Sequence, residues 1–199
     1  MCSAVAVPVN ADFEGGFAVD PETLAKNVTA ATTTGVAGLS IEDSTGDTDN
    51  PLFDFKLAVE RIRAAREAID RTKTRVLLVG RSEGFICGRP DLNETIRRLV
   101  AYSEGGAECL YAPGLKAISD IKAVVDAVKP KPVNAGVGNN FTTVEELAGA
   151  GVRRISVGGA LARMAWAGFL TAAKEIAEKG TFSAFQYAAN SKEMNGYFE

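Results

Sequence analysis

The chain of 199 residues contains no histidine. That absence removes Ser-His and Cys-His nucleophilic pairs, histidine general bases and imidazole metal ligands together. Any bound metal must be held by oxygen, which favours Mg²⁺, with Mn²⁺ next. Cysteine is scarce too. Cys2, Cys87 and Cys109 are an odd number without paired spacing, which reads as reduced cytoplasmic thiols and not a disulfide frame or a zinc site. No apolar run approaches the roughly 20 residues that span a bilayer, and no basic segment precedes the first apolar residues as in a signal peptide. Strong charge is also lacking: the formal net charge of -3 gives no electrostatic reason to expect nucleic acid or an anionic membrane as partner. What remains, 46% hydrophobic and 24% charged residues, is ordinary for a soluble globular protein with a substantial core.

The chain is organised around Val5 to Phe17, a β-branched run that ends in acid and glycine. Such a run suits a strand buried on both faces, with Asp12 at its carboxyl end, where α/β proteins put their chemistry. The plainer alternative is that Asp12 opens a turn. Asp20-Pro21 then starts a helix as N-cap and first helical residue, with Leu24, Val28 and Ala31 on its buried side and Gly35 beyond its end. A strand over 36–41 ends in Glu42-Asp43, a polar loop runs from Ser44 to Pro51, and a helix covers about 54–71. Further strands are expected over 75–80, 109–112, 132–135 and 154–157, and further helices over 93–104, from Ile118 to before Pro130, from Thr142 or Thr143 to Ala150, and over 160–178. The tail from Thr181 to Glu199 carries Phe182, Phe185, Tyr187, Tyr197 and Phe198, an aromatic content that suits packing against something. Trp166 reads as a packing or interface residue.

Six strand-then-helix units in succession imply a parallel sheet flanked by helices. It could be an open doubly wound sheet or a barrel, and length alone favours the open sheet, since a (β/α)8 barrel usually takes about 250 residues. The first three strands end at Asp12, Glu42 and Arg81, so two carboxylates and a guanidinium would share one rim. Two carboxylates without a nearby lysine suit an oxygen-coordinated dication. An arginine beside it would grip a substrate carboxylate and share developing enolate charge. The alternative is a structural ion pair between Arg81 and an acid. No lysine ends a strand, which argues against a Schiff-base aldolase. Gly136-Val137-Gly138 and Gly158-Gly159 would either offer amides to an anion or simply permit tight turns. Cys87 and Cys109 read as small apolar fillers.

Three stretches carry a family resemblance: Val9-Asn10-Ala11-Asp12-Phe13-Glu14-Gly15-Gly16-Phe17, Gly38-Leu39-Ser40-Ile41-Glu42-Asp43-Ser44 and Val79-Gly80-Arg81-Ser82-Glu83. With Gly106 to Gly114 and Gly151 to Ala160 following in order, the chain resembles the isocitrate lyase/phosphoenolpyruvate mutase superfamily over nearly its whole length. The resemblance implies a (β/α)8 TIM barrel, here lacking the first two β/α units. It implies a partial barrel over 1–180 and a helical tail over 181–199 that is exchanged between subunits of a homodimer or homotetramer. It also implies Mg²⁺ and a small oxo- or hydroxy-carboxylate substrate cleaved through an enolate. Residue by residue, Asp12 and Glu42 match the metal shell and Arg81 the arginine that steadies the substrate carboxylate. Glu42 and Glu14 join Arg81 as catalytic candidates, and Asn10 and Gly136 are expected to contact substrate.

The departures narrow the activity. Asn10 stands where many members have a first aspartate, and Phe17 replaces a tyrosine. Asp43 to Asp47 lacks the Lys-Cys-Gly-His signature of isocitrate and methylisocitrate lyases, which argues against those two activities. The expectation is a Mg²⁺-dependent carbon–carbon lyase or decarboxylase. The alternatives are a catalytically silent homologue serving as an oligomerising scaffold, and a phosphonate mutase or hydrolase.

Overall fold

The protein is described from a computed structural model, over residues 2–198. The chain divides into two compact units, Met1–Ser156 and Val157–Glu199. In the first unit, strands and helices alternate: β1 (Asn10–Ala11), α1 (Pro21–Thr32), β2 (Gly38–Glu42), α2 (Phe55–Thr72), β3 (Leu77–Arg81), α3 (Leu92–Glu104), β4 (Cys109–Tyr111), α4 (Ile118–Val128), β5 (Val133–Gly136), α5 (Val144–Gly149) and β6 (Arg154–Ser156). All six strands are parallel and lie side by side in chain order, β1 to β6. A doubly wound sheet reverses its order at a switch point; this one does not. Its ladder runs from β1 to β6 without joining the two outer strands.

The sheet's two faces differ. Leu39, Ile41, Leu78, Leu110, Val133 and Ala135 join the helices in one apolar core. Their partners there include Leu24 and Val28 of α1, Ile62 and Ile69 of α2, Leu99 of α3, and Val124 and Val128 of α4. The alternate residues, Ser40, Glu42, Arg81, Tyr111, Asn134 and Ser156, project from the other face, as the period of two requires. The first strand was expected to be buried on both faces; in the sheet one face is a helix-covered core, and the other carries these polar residues together with the buried Val79 and Cys109.

The helix signals read as expected. The Asp20 carboxylate accepts from Thr23 N at 2.8 Å and Pro21 opens α1. Asp54, Asp91 and Thr143 cap α2, α3 and α5. The first strand is a correction. Only Asn10–Ala11 is paired, and Val5 and Val7 are 47% and 68% exposed. Pro8, in the middle of the valine run, has no N–H to give a ladder, and β1 is an outer strand with one neighbour.

The second unit holds α6 (Ala160–Lys179), a 3₁₀ turn (Ser183–Tyr187) and α7 (Ser191–Gly196). Gly180 ends α6 in the left-handed conformation. The Glu175 carboxylate accepts from Thr181 Oγ1 at 2.6 Å and from Ser183 N and Ala184 N at 2.8 Å, which folds the turn back on the helix and holds that carboxyl down at about 2. Leu161, Met164, Trp166, Phe169 and Leu170 of α6 are exposed.

Candidate active site at the carboxyl ends of the strands

Strand register builds the site. Glu42 pairs with Arg81 across β2 and β3, and Arg81 with Tyr111 across β3 and β4. Asp12 follows β1 directly, two strand spacings from Arg81. That gap, about 10 Å, is one the long guanidino side chain bridges. Arg81 Nη1 lies 3.1 Å from Asp12 Oδ1 and 3.3 Å from Glu42 Oε2, while Arg81 Nε donates to Glu83 Oε1. Ser40 Oγ donates to Asp12 Oδ1 at 3.4 Å, and the Tyr111 ring lies under the guanidinium, 5.4 Å from centroid to Cζ. A side chain at Gly136 would strike the Tyr111 hydroxyl, so the glycine makes room for the ring beneath Arg81.

Three carboxylates thus share one guanidinium, and the titration directions follow from that imbalance. Burial pushes the Glu83 carboxyl up to about 7 against the pull of Arg81. Burial also raises Glu42; Arg81 opposes the rise and Asp12, Glu14 and Asp43 add to it. Burial works against the Arg81 charge, yet Glu83, Glu42 and Asp12 hold its pKa above the ordinary value. Asp12, whose side chain is 72% exposed, is the open side of the cluster.

The residues named from sequence divide. Asp12, Glu42 and Arg81 meet. Glu14 lies on the neighbouring turn, where Glu42 N donates to its carbonyl at 3.0 Å and both glutamates line a cavity of about 330 Å³ with Ser44, Thr45 and Phe53. Glu14 and Phe17 both have positive φ, 48° and 55°. The buried Arg61 holds this strained turn, donating to the Gly15, Ala18 and Val19 carbonyls and stacking 4.2 Å from the Phe53 ring centroid. Gly16, at φ 71°, packs against Leu24 and Ile41 where a side chain would collide. Asn10 sits at the start of β1 opposite Gly38, and its amide donates only to the Ala11 carbonyl, at 3.4 Å; no bond joins it to the cluster among the described residues. Gly136 is at the end of β5, next to the site through Tyr111.

Sequence reasoning assigned no part to Glu83, Asp43, Arg98 or Tyr102. Asp43 Oδ1 accepts from Glu83 N at 2.7 Å; its Oδ2 accepts from Tyr102 Oη at 2.6 Å and from Arg98 Nη1 at 3.2 Å. This buried network lies on the helix side and fixes the backbone of Arg81's partner. A signal existed: in a strand, Asp43 must face opposite to Glu42, and Arg98 and Tyr102 share one face of α3 at i, i+4 beside buried Leu99.

Among the described residues no group of three or more Asp, Glu or Cys converges as a metal cluster. The acid excess around Arg81 nevertheless fits a dication that keeps most of its water, because Mg²⁺ commonly binds through one or two carboxylates. Cys109 is buried and Cys87 half-buried, with burial raising both thiols, as suits fillers.

An all-parallel sheet in chain order, with an acid-ringed arginine at its carboxyl edge, defines an α/β protein whose candidate site lies at the carboxyl ends of its strands. The family model of phosphoenolpyruvate phosphomutase matches residues 1–177, and the chain belongs to that family, within the phosphoenolpyruvate mutase/isocitrate lyase superfamily. A candidate lyase/mutase of Burkholderia cenocepacia J2315 is 44% identical, with a TM-score of 0.92 over 96% of this chain and 69% of that one. The sheet is accordingly a six-stranded half-barrel of the type seen in that structure. A curated relative from Bradyrhizobium diazoefficiens named oxaloacetate decarboxylase is 28% identical over 77% of this chain and 53% of its own length. One from Rhodopseudomonas palustris BisB5 with the same name is 29% identical, over 98% of this chain and 65% of its own. The chain thus spans about half to two thirds of the length of these relatives. An oxaloacetate acetylhydrolase bound to oxalate shares the fold at 23% identity and a TM-score of 0.77, over 96% of this chain and 71% of its own.

Proposed function

We propose that the cluster at Arg81 is the reactive centre of a lyase that breaks a carbon–carbon bond in a small oxo- or hydroxy-dicarboxylate, oxaloacetate being the first substrate to test. One observation carries this reading: Arg81 is drawn to the strand-end rim between Asp12 and Glu42, with Glu83 holding its Nε from behind. The names of the curated relatives support it.

Arg81 would bind the substrate carboxylate through its Nη edge and receive the negative charge that develops on the enolate oxygen. Glu83 fixes the plane of that guanidinium. Asp12 and Glu42 would hold a hydrated Mg²⁺, or Mn²⁺. When bound, the ion supplies positive charge next to the substrate oxygens and so favours departure of the carboxyl group as CO₂. Glu14, which lines one cavity with Glu42, would exchange protons with bound substrate, and Asn10 and Gly136 would border the substrate path. The Ser44 to Pro51 loop is already folded, with Thr45 N bonded to the Pro51 carbonyl at 3.1 Å, and its closing over the rim would exclude water.

We infer further that the half-barrel is part of a (β/α)8 barrel, whose remaining strand–helix units would pair with β1 and β6, and that the 181–199 tail docks on another subunit of a dimer or tetramer. The three unpaired thiols suit the cytoplasm. Among the described residues no helix is long and apolar enough to cross a membrane. A second reading, a silent scaffold, is favoured by the outer strands β1 and β6, each with one free edge among the described residues.

The discriminating experiment follows pyruvate release from oxaloacetate and substituted malates with and without Mg²⁺. Mg²⁺-dependent turnover lost in Arg81→Ala supports the lyase. Rates equal to buffer for every substrate leave the scaffold.

A further inference from the structure

Behind the rim, on the helix side of β3, lies a second cavity of about 610 Å³, distinct from the one beside Glu14 and Glu42. Its walls come from the 49–52 end of the polar loop, the turn after β3 and the first turns of α3. Most polar groups around it are already engaged. Asp91 caps Glu94 N at 3.0 Å, Glu94 is held by Arg97 and Arg98, and Arg98 is held by Asp43 and the Phe53 carbonyl. Several are not, the Thr95 hydroxyl among them, which makes no side-chain hydrogen bond among the described residues. Ser82 is 1% exposed, and its hydroxyl has no hydrogen-bond partner although it is fully buried. The Arg89 guanidinium and the Asp49 carboxylate, on the lips of the cavity, make no ion pair or side-chain hydrogen bond among the described residues. Between them the surface is apolar: Pro51, Leu52 and Pro90.

One free cation, one free anion and an apolar wall ask for a molecule with the complementary set. A lone anion would meet Asp49 and Asp91, and a lone cation would meet Arg89; a zwitterion meets neither penalty. The volume is ordinary for a small-molecule site.

We infer that this cavity is a second binding site, separate from the reactive centre, for a small zwitterion with an apolar body, such as an aliphatic α-amino acid. Its carboxylate would lie on Arg89, its ammonium on Asp49 and its side chain against Pro51, Leu52 and Pro90. This assignment does not depend on the lyase reading, because binding is read without turnover.

The test is titration of the full chain with L-leucine, followed by backbone amide shifts in heteronuclear NMR, with isocaproate and isoamylamine as the single-charge controls. Saturable shifts confined to residues 49–52 and 82–95 are expected. Arg89→Ala and Asp49→Ala, both surface changes that leave the core intact, should each weaken binding by about tenfold or more, as loss of a charge-assisted hydrogen bond does. Each control should bind at least about tenfold more weakly than L-leucine. Absence of saturation up to the solubility limit would overturn the proposal. So would binding indifferent to both substitutions, isocaproate binding as tightly as L-leucine, or a crystal grown with L-leucine in which only water fills the cavity.

Discussion

Two arginines on opposite faces of one sheet have opposite surroundings. Arg98 is buried among Asp43, Tyr102, Glu94 and the Phe53 carbonyl, on the helix side. Arg81, on the polar face, is ringed by Asp12, Glu42 and Glu83, and one of those acids is largely in water. The Arg98 network is closed in charge: its two carboxylates, Asp43 and Glu94, are each bonded to arginine, and no acid is left in excess. The Arg81 cluster is open and has more negative charge than its guanidinium cancels. A closed network specifies the fold, whereas an open, unbalanced one is built to receive something.

Exchanging each arginine for methionine would break the comparison most directly. Arg81→Met should cut turnover by about 100-fold or more, as loss of one transition-state charge partner does, and move the unfolding midpoint little, since Asp12 is solvated and Glu83 can take up a proton. Arg98→Met should do the reverse. It strands Asp43 without its cation and should cost about 3–5 kcal/mol of stability in urea unfolding, with catalysis of the surviving folded fraction largely kept.

Removing the brace of the strained turn comes next. Arg61→Met leaves three carbonyls short of a donor and should cost roughly 2–3 kcal/mol by the same measurement. A variant as stable as the parent would show that the turn does not need Arg61.

The pH response sharpens the contrast from the other side. Glu83 binds its proton more tightly folded, at about 7, than at its ordinary value of 4.5. The folded state therefore carries the extra proton between these values, and stability falls as pH rises from about 4.5 through about 7. Glu83→Gln cannot titrate and should flatten that slope. Unfolding midpoints at about pH 5 and about pH 8 should differ less in the variant than in the parent. Equal differences would remove Glu83 from the cluster's charge balance. The smallest effect expected is that of Tyr111→Phe, which keeps the ring under Arg81 and should change stability by less than about 1 kcal/mol.

Much of this was legible in the sequence. The Asp20-Pro21 start, the Thr143 cap and the stop before Pro130 are local signals, decided within a turn or two of chain. The meeting of Glu42 with Arg81 was legible because both end strands that lie next to each other in a parallel sheet. The valine run misled because its β propensity outweighed Pro8 in the reading, although Pro8 denies the ladder a donor. Glu83 and Asp43 stood at strand ends in the sequence without a role of their own. Glu83 reaches Arg81 only two residues away, whereas Asp43 meets Arg98 55 residues on through packing of α3 on the sheet; periodicity indicates which faces those residues take but not that they meet.

The central claim is that Arg81, with the acids around it, binds a small carboxylate beside a dication. Calorimetric titration of the full chain with oxalate, with and without Mg²⁺, tests it without requiring turnover. The account predicts saturable binding that needs Mg²⁺ and disappears in Arg81→Met. Binding of equal strength in parent and variant, or no binding at all with Mg²⁺ in excess, would contradict it.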